Sequence, residues 1–130
     1  MLRNVAFIVQ KNVVASADEH LIEICLKNLI ENSWKYTSKR KNGQIEFGSM
    51  EDKHNKTTFF VRDNGIGFDM NFSEDIFKPF YRSHSGDKFA GAGIGLTIVA
   101  RIIQKHGGLI WTKGEPQEGA TFYFTLRKVL

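Results

Sequence analysis

The hexapeptide Asp63-Asn-Gly-Ile-Gly-Phe68 directly follows Thr57–Arg62, a run rich in Thr, Phe and Val. Such a run predicts a strand, and the change to a carboxylate, an amide and two glycines predicts that the strand ends at a sheet edge, where a ligand can reach polar groups. Gly65 and Gly67 let the backbone approach a bound molecule closely. Asp63 can accept a hydrogen bond from an amino group. Taken alone, these residues also fit an ordinary turn.

Composition limits the classes of protein to which the chain can belong. Its 130 residues fit one domain with a single core. No apolar run approaches the length of a membrane-spanning helix, and Met1 does not open a secretory leader. Cys25 is the only cysteine, so an internal disulfide is excluded and a reducing compartment fits. The net charge of +4 does not choose among nucleic acid, an acidic protein surface and a nucleotide as partner.

The hydrophobic pattern predicts a mixed α/β order, with antiparallel hairpins and with helices on one face of the sheet. Ser16 and Glu19 have the spacing of a capping box, which predicts a helix from there to about Thr37. A second amphipathic helix is predicted over Gly95–His106, with Gly107 as its stop. Strands are predicted at Val5–Val9, Gln44–Ser49, Thr57–Arg62, Leu109–Lys113 and Thr121–Leu126, and a short helical piece near Glu74–Phe77.

A polar stripe on the first predicted helix is a second feature that points to a ligand. At about 100° per residue, Asn28, Asn32 and Lys35 share one side, at the border of the apolar face. Asparagine is a poor helix former, so this stripe reflects either solvent exposure or a pocket. In a pocket, asparagine oxygens suit Mg²⁺, Lys35 suits phosphate oxygens, and the adjoining Tyr36 can cover a flat ring.

Glycines before the second predicted helix form the third feature. The block Gly91-Ala-Gly-Ile-Gly-Leu96 leaves the first N–H groups of that helix free to face an anion. It matches neither a P-loop nor a dinucleotide-binding loop, and by itself it also fits a flexible hinge. Upstream, the aromatic residues of Phe77-Lys-Pro-Phe-Tyr-Arg82 precede the polar segment Ser83–Ala90. That segment fits a lid over a ligand or an ordinary surface loop.

Each of the three features is ambiguous alone, but together they imply one ligand. Asp63 suits an amino-purine, Asn32 suits a metal ion, and Lys35 with Gly91–Gly95 suits phosphates. The joint interpretation is Mg-ATP.

The same blocks resemble, in order, the sequence boxes of sensor histidine kinases. The resemblance runs from about Arg3 to Leu126 and is closest to catalytic, ATP-binding domains of kinases attached to PAS or phytochrome-like sensors. The pair Ser33-Trp34 and a short lid depart from the usual pattern. The matching segments are Leu26-Lys-Asn-Leu-Ile-Glu-Asn-Ser-Trp-Lys-Tyr-Thr37 for the N box, Asp63–Phe68 for G1, Phe77–Phe80 for F, Gly91–Leu96 for G2 and Gly119-Ala-Thr-Phe122 for the last glycine box.

This resemblance implies the Bergerat fold, a two-layer α/β (α+β) sandwich of a mixed, mostly antiparallel sheet with helices packed on one face and ATP bound under a lid. It implies that Asp63 binds the adenine amino group, that Gly65 and Gly67 shape that wall, and that Asn32 coordinates Mg²⁺. The other implied nucleotide contacts are Asn28, Lys35 and Arg82 at the phosphates, Tyr36 and Thr121 at the adenine, and Gly91, Gly93, Gly95 and Leu96 at the lid hinge and helix start.

The resemblance also implies a protein-histidine kinase of a two-component system. Gyrase B, MutL and anti-sigma kinases, which resemble this group, carry Glu four residues before the metal-binding Asn, where this chain has Asn28. A carboxamide cannot take a proton from water or a serine hydroxyl at neutral pH, so efficient ATP hydrolysis is disfavoured. A histidine acceptor needs less help, because neutral imidazole is already nucleophilic.

The phosphoacceptor is expected outside this chain. None of its histidines lies in a histidine-acid motif on a long two-helix hairpin. We therefore expect residues 1–130 to be one catalytic domain of a longer, homodimeric, cytoplasmic or membrane-tethered sensor kinase. Its expected partners are the dimerisation hairpin of that kinase and a downstream response regulator, without nucleic acid.

Two other functions remain open. A degenerate domain would bind ATP as a regulatory module without phosphotransfer. A basic docking or nucleic-acid domain would bind nucleic acid in a salt-dependent manner that ATP does not affect.

Overall fold

The strands form one mixed sheet in the order β1-β2-β3-β5-β4 in a computed structural model that describes residues 3–78 and 95–127. Strand β1 runs parallel to β2, and the other neighbours are antiparallel. The prediction of a mixed, mostly antiparallel sheet is confirmed. The elements are β1 (Val5–Val9), α1 (Glu19–Tyr36), β2 (Gly43–Glu51), β3 (Thr57–Asp63), α2 (Gly95–Lys105), β4 (Ile110–Glu115) and β5 (Gly119–Thr125), with short 3-10 helices at Met70–Phe72 and Asp75–Phe77.

Alternation along the central strands decides which face of the sheet the helices cover. Val61 of β3 and Phe122 of β5 are paired and fully buried, and both belong to the core cluster. Both helices contribute to the same cluster, α1 through Leu29 and α2 through Val99 and Ile103. The helices therefore pack on one face, as predicted, and the opposite face carries residues such as Arg62.

Helix α1 begins differently from the prediction. Its N-cap is Asp18, whose Oδ1 accepts a hydrogen bond of 2.9 Å from the Leu21 N–H. The capping box predicted at Ser16 and Glu19 is therefore wrong. Asp caps helices as well as Ser does, and its charge also interacts favourably with the helix dipole.

The other predicted elements are confirmed, with small shifts at their ends. The predicted strand Val5–Val9 is β1, and the predicted hairpin is formed by β2 and β3. Helix α2 ends at Lys105, and Gly107 adopts φ +68, the left-handed conformation that stops a helix. Strands β4 and β5 extend into the predicted connection, because their ladder continues as far as Glu115 and Gly119.

Arg3 connects the residues before β1 to the end of α1 by hydrogen bonds. Its Nη2 donates to the Trp34 carbonyl at 2.7 Å and to Thr37 Oγ1 at 3.0 Å. The guanidinium lies 3.7 Å from the centre of the Trp34 ring, and Phe7 of β1 stacks with the same indole. Arg3 thus supplies a donor to one carbonyl oxygen and one hydroxyl oxygen at the end of α1, where backbone carbonyls lack N–H partners in a following turn.

His106, just after α2, connects the two helices. The side chain is buried, with Nδ1 2.8 Å from the Ile102 carbonyl oxygen and Nε2 3.0 Å from the Asp18 nitrogen. Because the Asp18 N–H can only donate, Nε2 accepts, and the ring proton is on Nδ1, which donates to Ile102. The neutral ring therefore links the end of α2 to the residue that caps α1.

We expect His106→Ala to lower the free energy of unfolding by about 2–3 kcal/mol, because it leaves the Asp18 N–H without its acceptor and opens a cavity. Urea denaturation followed by circular dichroism measures the change. His54 lies in the exposed β2–β3 turn, so His54→Ala is the control, with an expected change below about 0.5 kcal/mol. Equal unfolding free energies for His106→Ala and the wild type would contradict this role.

Cys25 is a core residue of α1. Burial raises the pKa of its thiol to about 12, so it stays protonated at neutral pH and does not act as a nucleophile.

Neither helix in the described part of the chain is long and apolar enough to cross a membrane.

Candidate functional site

Asp63, the last residue of β3, lies on the face of the sheet that the helices cover. It is only 4% exposed. Its Oδ1 accepts a hydrogen bond of 2.9 Å from the Gly65 N–H, while Oδ2 is buried and has no hydrogen-bond partner in the described part of the chain. One carboxylate oxygen is therefore held in place and the other is available to a donor.

The protonation of Asp63 is governed by burial. Burial raises the pKa of its carboxyl group above 3.8, and the Gly65 N–H, the Ser33 hydroxyl and the Ala120 N–H partly oppose the rise. Ser33 is fully buried on α1, close enough to affect Asp63, yet its Oγ makes no hydrogen bond of good geometry with any described residue. A buried carboxylate oxygen and a buried hydroxyl, each without a hydrogen-bond partner of good geometry among the described residues, favour a polar ligand at this point.

The two asparagines of the polar stripe on α1 differ in how they are held. Asn28 Nδ2 donates to the Ile24 carbonyl at 2.9 Å. Its Oδ1 faces the start of α2, where a Cβ on Gly95 would lie 2.9 Å away. The amide nitrogen of Asn32 is buried without a partner among the described residues, so no described neighbour holds this nitrogen. Lys35 is exposed in the last turn of α1.

The loop after Asp63 is held between the end of α1 and the β4–β5 turn. The Ile66 N–H donates to the Tyr36 carbonyl at 3.1 Å, and the Ile66 carbonyl accepts from the Gln117 N–H at 2.6 Å. A methyl group at Gly65 would lie 2.3 Å from the Tyr36 carbonyl oxygen. Gly65 therefore serves close backbone packing as well as the hydrogen bond to Asp63.

Thr121 does not lie beside Asp63. The β3–β5 register pairs Thr121 with Arg62 and Asp63 with Ala120, and Arg62 Nε donates to Thr121 Oγ1 at 3.4 Å. Because successive side chains of a strand point to opposite faces, Thr121 lies on the face of the sheet opposite Asp63, which argues against its predicted place beside the adenine. The position beside Asp63 belongs to Ala120, which sequence analysis missed because its side chain carries no polar signal.

Only part of the predicted lid region lies within the described residues. Phe77 packs edge-on against Phe122, and its carbonyl accepts a hydrogen bond of 2.8 Å from Thr97 Oγ1 on α2. Gly95 begins α2, and Leu96 packs against the core. The predicted residues outside the described ranges are Phe80, Arg82, the lid segment Ser83–Ala90, Gly91 and Gly93.

The chain matches the family of histidine kinase-, DNA gyrase B- and HSP90-like ATPases over residues 17–130. Among curated proteins, cyanobacterial phytochrome B of Nostoc sp. is 45% identical over 123 residues. The match covers 94% of this chain and 16% of that protein, so the chain spans about a sixth of this relative's length.

Solved structures similar to this chain include histidine kinases. The catalytic domain of histidine kinase ThkA, in a nucleotide-free form, has 31% identity and a TM-score of 0.74, covering 96% of this chain and 80% of that one. Full-length ShkA in complex with AMPPNP has 28% identity and a TM-score of 0.75, covering 95% of this chain and 25% of that one. The chain therefore belongs to the histidine kinase-, DNA gyrase B- and HSP90-like ATPase family, as an ATP-binding domain of the histidine kinase type.

Proposed function

We propose that this domain binds Mg-ATP and presents its γ-phosphoryl group to a histidine on a dimerisation hairpin outside the chain. The observation that carries the proposal is the buried Oδ2 of Asp63, which has no hydrogen-bond partner within the described residues. The buried hydroxyl of Ser33 acts on the same carboxyl group. An adenine amino group supplies the donor that Oδ2 lacks.

The same oxygen predicts a preference for adenine over guanine. Guanine carries a carbonyl oxygen where adenine carries its amino group, and a carboxylate oxygen facing a carbonyl oxygen has no proton to share. A site built to pair with an amino group rejects the analogue that lacks it, because buried polar groups are then left unpaired. We therefore propose ATP and ADP as ligands and GTP as a poor one.

The phosphate end of the site is assigned to α1 and to the start of α2. Lys35 is exposed and cationic, Gly95 opens α2, and the amide of Asn32, whose nitrogen no described neighbour holds, can turn its oxygen towards a metal ion. No group of three or more His, Cys, Asp or Glu in residues 3–78 and 95–127 could hold a metal ion. Mg²⁺ fits the oxygen of Asn32, because this ion often binds through few protein oxygens together with nucleotide phosphates, whose charge it neutralises. Contacts from Arg82, Gly91 and Gly93 stay predictions.

The chemistry proposed for this domain is positioning rather than proton abstraction. Asn28 occupies the place of a general base but is an amide whose nitrogen is bound to Ile24. An acceptor histidine needs no such base, because its neutral ring attacks phosphorus directly. His106 cannot be that acceptor, because it is buried with both ring nitrogens hydrogen-bonded. A hairpin acceptor and a downstream response regulator therefore remain the proposed partners.

Calorimetric titration with ATP, ADP and GTP in the presence of Mg²⁺ tests the nucleotide site. We expect ATP and ADP to bind and GTP to bind at least about tenfold more weakly, as loss of one charged hydrogen bond implies. Equal binding of GTP, or no binding by a folded protein, would overturn the adenine assignment. Salt-dependent nucleic-acid binding unaffected by ATP would support a docking domain instead.

Phosphotransfer is tested separately with ATP labelled on the γ-phosphate. We expect no label on the domain alone and label on a histidine when a dimerisation hairpin of a related kinase is added. Self-labelling of the domain would contradict an external acceptor. Nucleotide binding with no transfer to any hairpin would favour a regulatory module.

A further inference from the structure

Arg40 belongs to none of the sequence motifs described above. Its side chain nevertheless binds Gly65, in the loop that follows Asp63. It follows α1 in a turn closed by a hydrogen bond of 2.9 Å from its own N–H to the Thr37 carbonyl. Its Nη2 donates to the Gly65 carbonyl at 3.0 Å and also to the Gln117 carbonyl. One side chain thus joins three segments that are distant in sequence.

These contacts lead to Asp63 through a single residue. The Gly65 carbonyl is held by Arg40, and the Gly65 N–H donates to Asp63 Oδ1. The peptide after Gly65 is held on its other side by the hydrogen bond from the Ile66 N–H to Tyr36. Because Oδ1 is occupied by Gly65, the direction of Oδ2 depends on the orientation of this loop.

The second contact of Arg40 stabilises the β4–β5 turn. Gln117 has φ +67, a left-handed conformation that is unfavourable for a residue with a side chain. The Gln117 N–H donates to the Ile66 carbonyl, so this turn packs directly against the loop after Asp63. Arg40 is half-buried, its Nε is buried without a partner in the described structure, and its charge strengthens both hydrogen bonds to carbonyl oxygens.

We propose that Arg40 is a positioning residue for adenine recognition, which acts through Gly65 to aim Asp63 Oδ2 at the amino group of the base. The inference rests on the proposed function of Asp63 and adds a residue that does not itself touch the nucleotide. Its removal therefore weakens the contact with the amino group and leaves the other nucleotide contacts unchanged.

The test compares ADP with purine riboside 5′-diphosphate, which is ADP without the 6-amino group. Arg40→Met keeps the apolar stem and removes the donors. We expect it to weaken ADP about tenfold and to change the affinity for the purine riboside less than twofold. Arg40→Lys keeps the charge and one donor and should lose about threefold for ADP. Lys41→Ala, at the exposed neighbouring position, is the control and should change neither affinity.

A double variant distinguishes positioning from a general loosening of the site. In an Asp63→Asn background, Arg40→Met should have no additional effect on ADP, because the residue through which it acts is gone. Equal weakening of both ligands by Arg40→Met, or an unchanged ADP affinity, would overturn the proposal.

Hydrogen exchange gives a measurement that needs no nucleotide. In the free protein, we expect Arg40→Met to speed exchange of the Gly65 and Gln117 amides at least about tenfold, with β3 amides unchanged. If the wild type bound no ADP, the proposed function would fail, and exchange would still decide whether Arg40 orders this loop. Unchanged exchange at Gly65 would refute the positioning role by itself.

Discussion

An Asp63→Asn variant is expected to bind ADP about 100-fold more weakly than the wild type while folding at least as stably. Since the Gly65 N–H holds an oxygen at the Oδ1 position, the asparagine nitrogen takes the place of Oδ2. Two donors, the asparagine amide and the adenine amino group, would then face each other where a charged acceptor belongs. Titration calorimetry with Mg-ADP measures the loss.

The stability of this variant follows from the pKa of Asp63, which burial raises above 3.8. The stabilising contribution of a group with a raised pKa is fully present below its unfolded pKa and is lost as pH rises through its folded pKa. Where Asp63 is ionised it therefore lowers stability, and asparagine removes that cost. We expect the urea midpoint of Asp63→Asn at neutral pH to equal or exceed that of the wild type, and the gap to close on acidification.

Binding depends on pH in the opposite sense. The acceptor for the adenine amino group is the ionised carboxylate, so affinity for ADP should fall as pH is lowered through the raised pKa. Glu51→Gln, which neutralises an exposed carboxylate at the end of β2, is the control and should alter neither affinity nor stability. A variant at Asp63 that lost stability in parallel with affinity would assign this residue to structure rather than to recognition.

Gly67→Ala is expected to lower the free energy of unfolding by more than about 4 kcal/mol, the range reached only by severe steric or strain effects. Gly67 has φ +64, and a methyl group there would lie 2.0 Å from the Glu115 carbonyl oxygen and 2.8 Å from that of Gly119. Both atoms belong to the backbone of the β4–β5 hairpin, so relief requires that hairpin to open. Thermal melting should show a Tm lower by more than about 10 °C.

Gly43→Ala is the matched control for this substitution. Its Cβ would meet side-chain atoms, Thr37 Cβ at 3.2 Å and Val5 Cγ2 at 3.4 Å, and these can shift by a few tenths of an ångström. We expect a change in unfolding free energy below about 1.5 kcal/mol. A Tm of Gly67→Ala close to that of Gly43→Ala would contradict the packing described for the loop.

Much of the fold was predictable because hydrophobic periodicity reports which face of an element is buried. The strand ending at Asp63, the helix bearing Asn32 and the helix starting at Gly95 were all placed correctly from this pattern. Local chemistry was less decisive at the start of α1, where Ser16 and Asp18 are both good caps and only the structure shows which one is used.

The parts of the site that depend on long-range geometry were not predictable. Thr121 and Ala120 are neighbours in sequence, and only the register of β5 against β3 decides which of them faces the helices. Arg40 has no motif, because its role comes from carbonyl groups far away in the sequence. Asn28 and Asn32 look equivalent on a helix, but only one of them donates to its own helix backbone.

The contact of Arg3 with Trp34 has a mechanical consequence for this domain. Arg3 precedes β1, and its hydrogen bonds end on the last turn of α1, the helix that also carries Asn32 and Ser33. An α-helix is stiff along its axis. A force applied to the residues before β1 would therefore be transmitted by Arg3 to the helix turn that carries these side chains. A displacement of the residues before β1 is therefore expected to shift Asn32 and Ser33 with no loop in between.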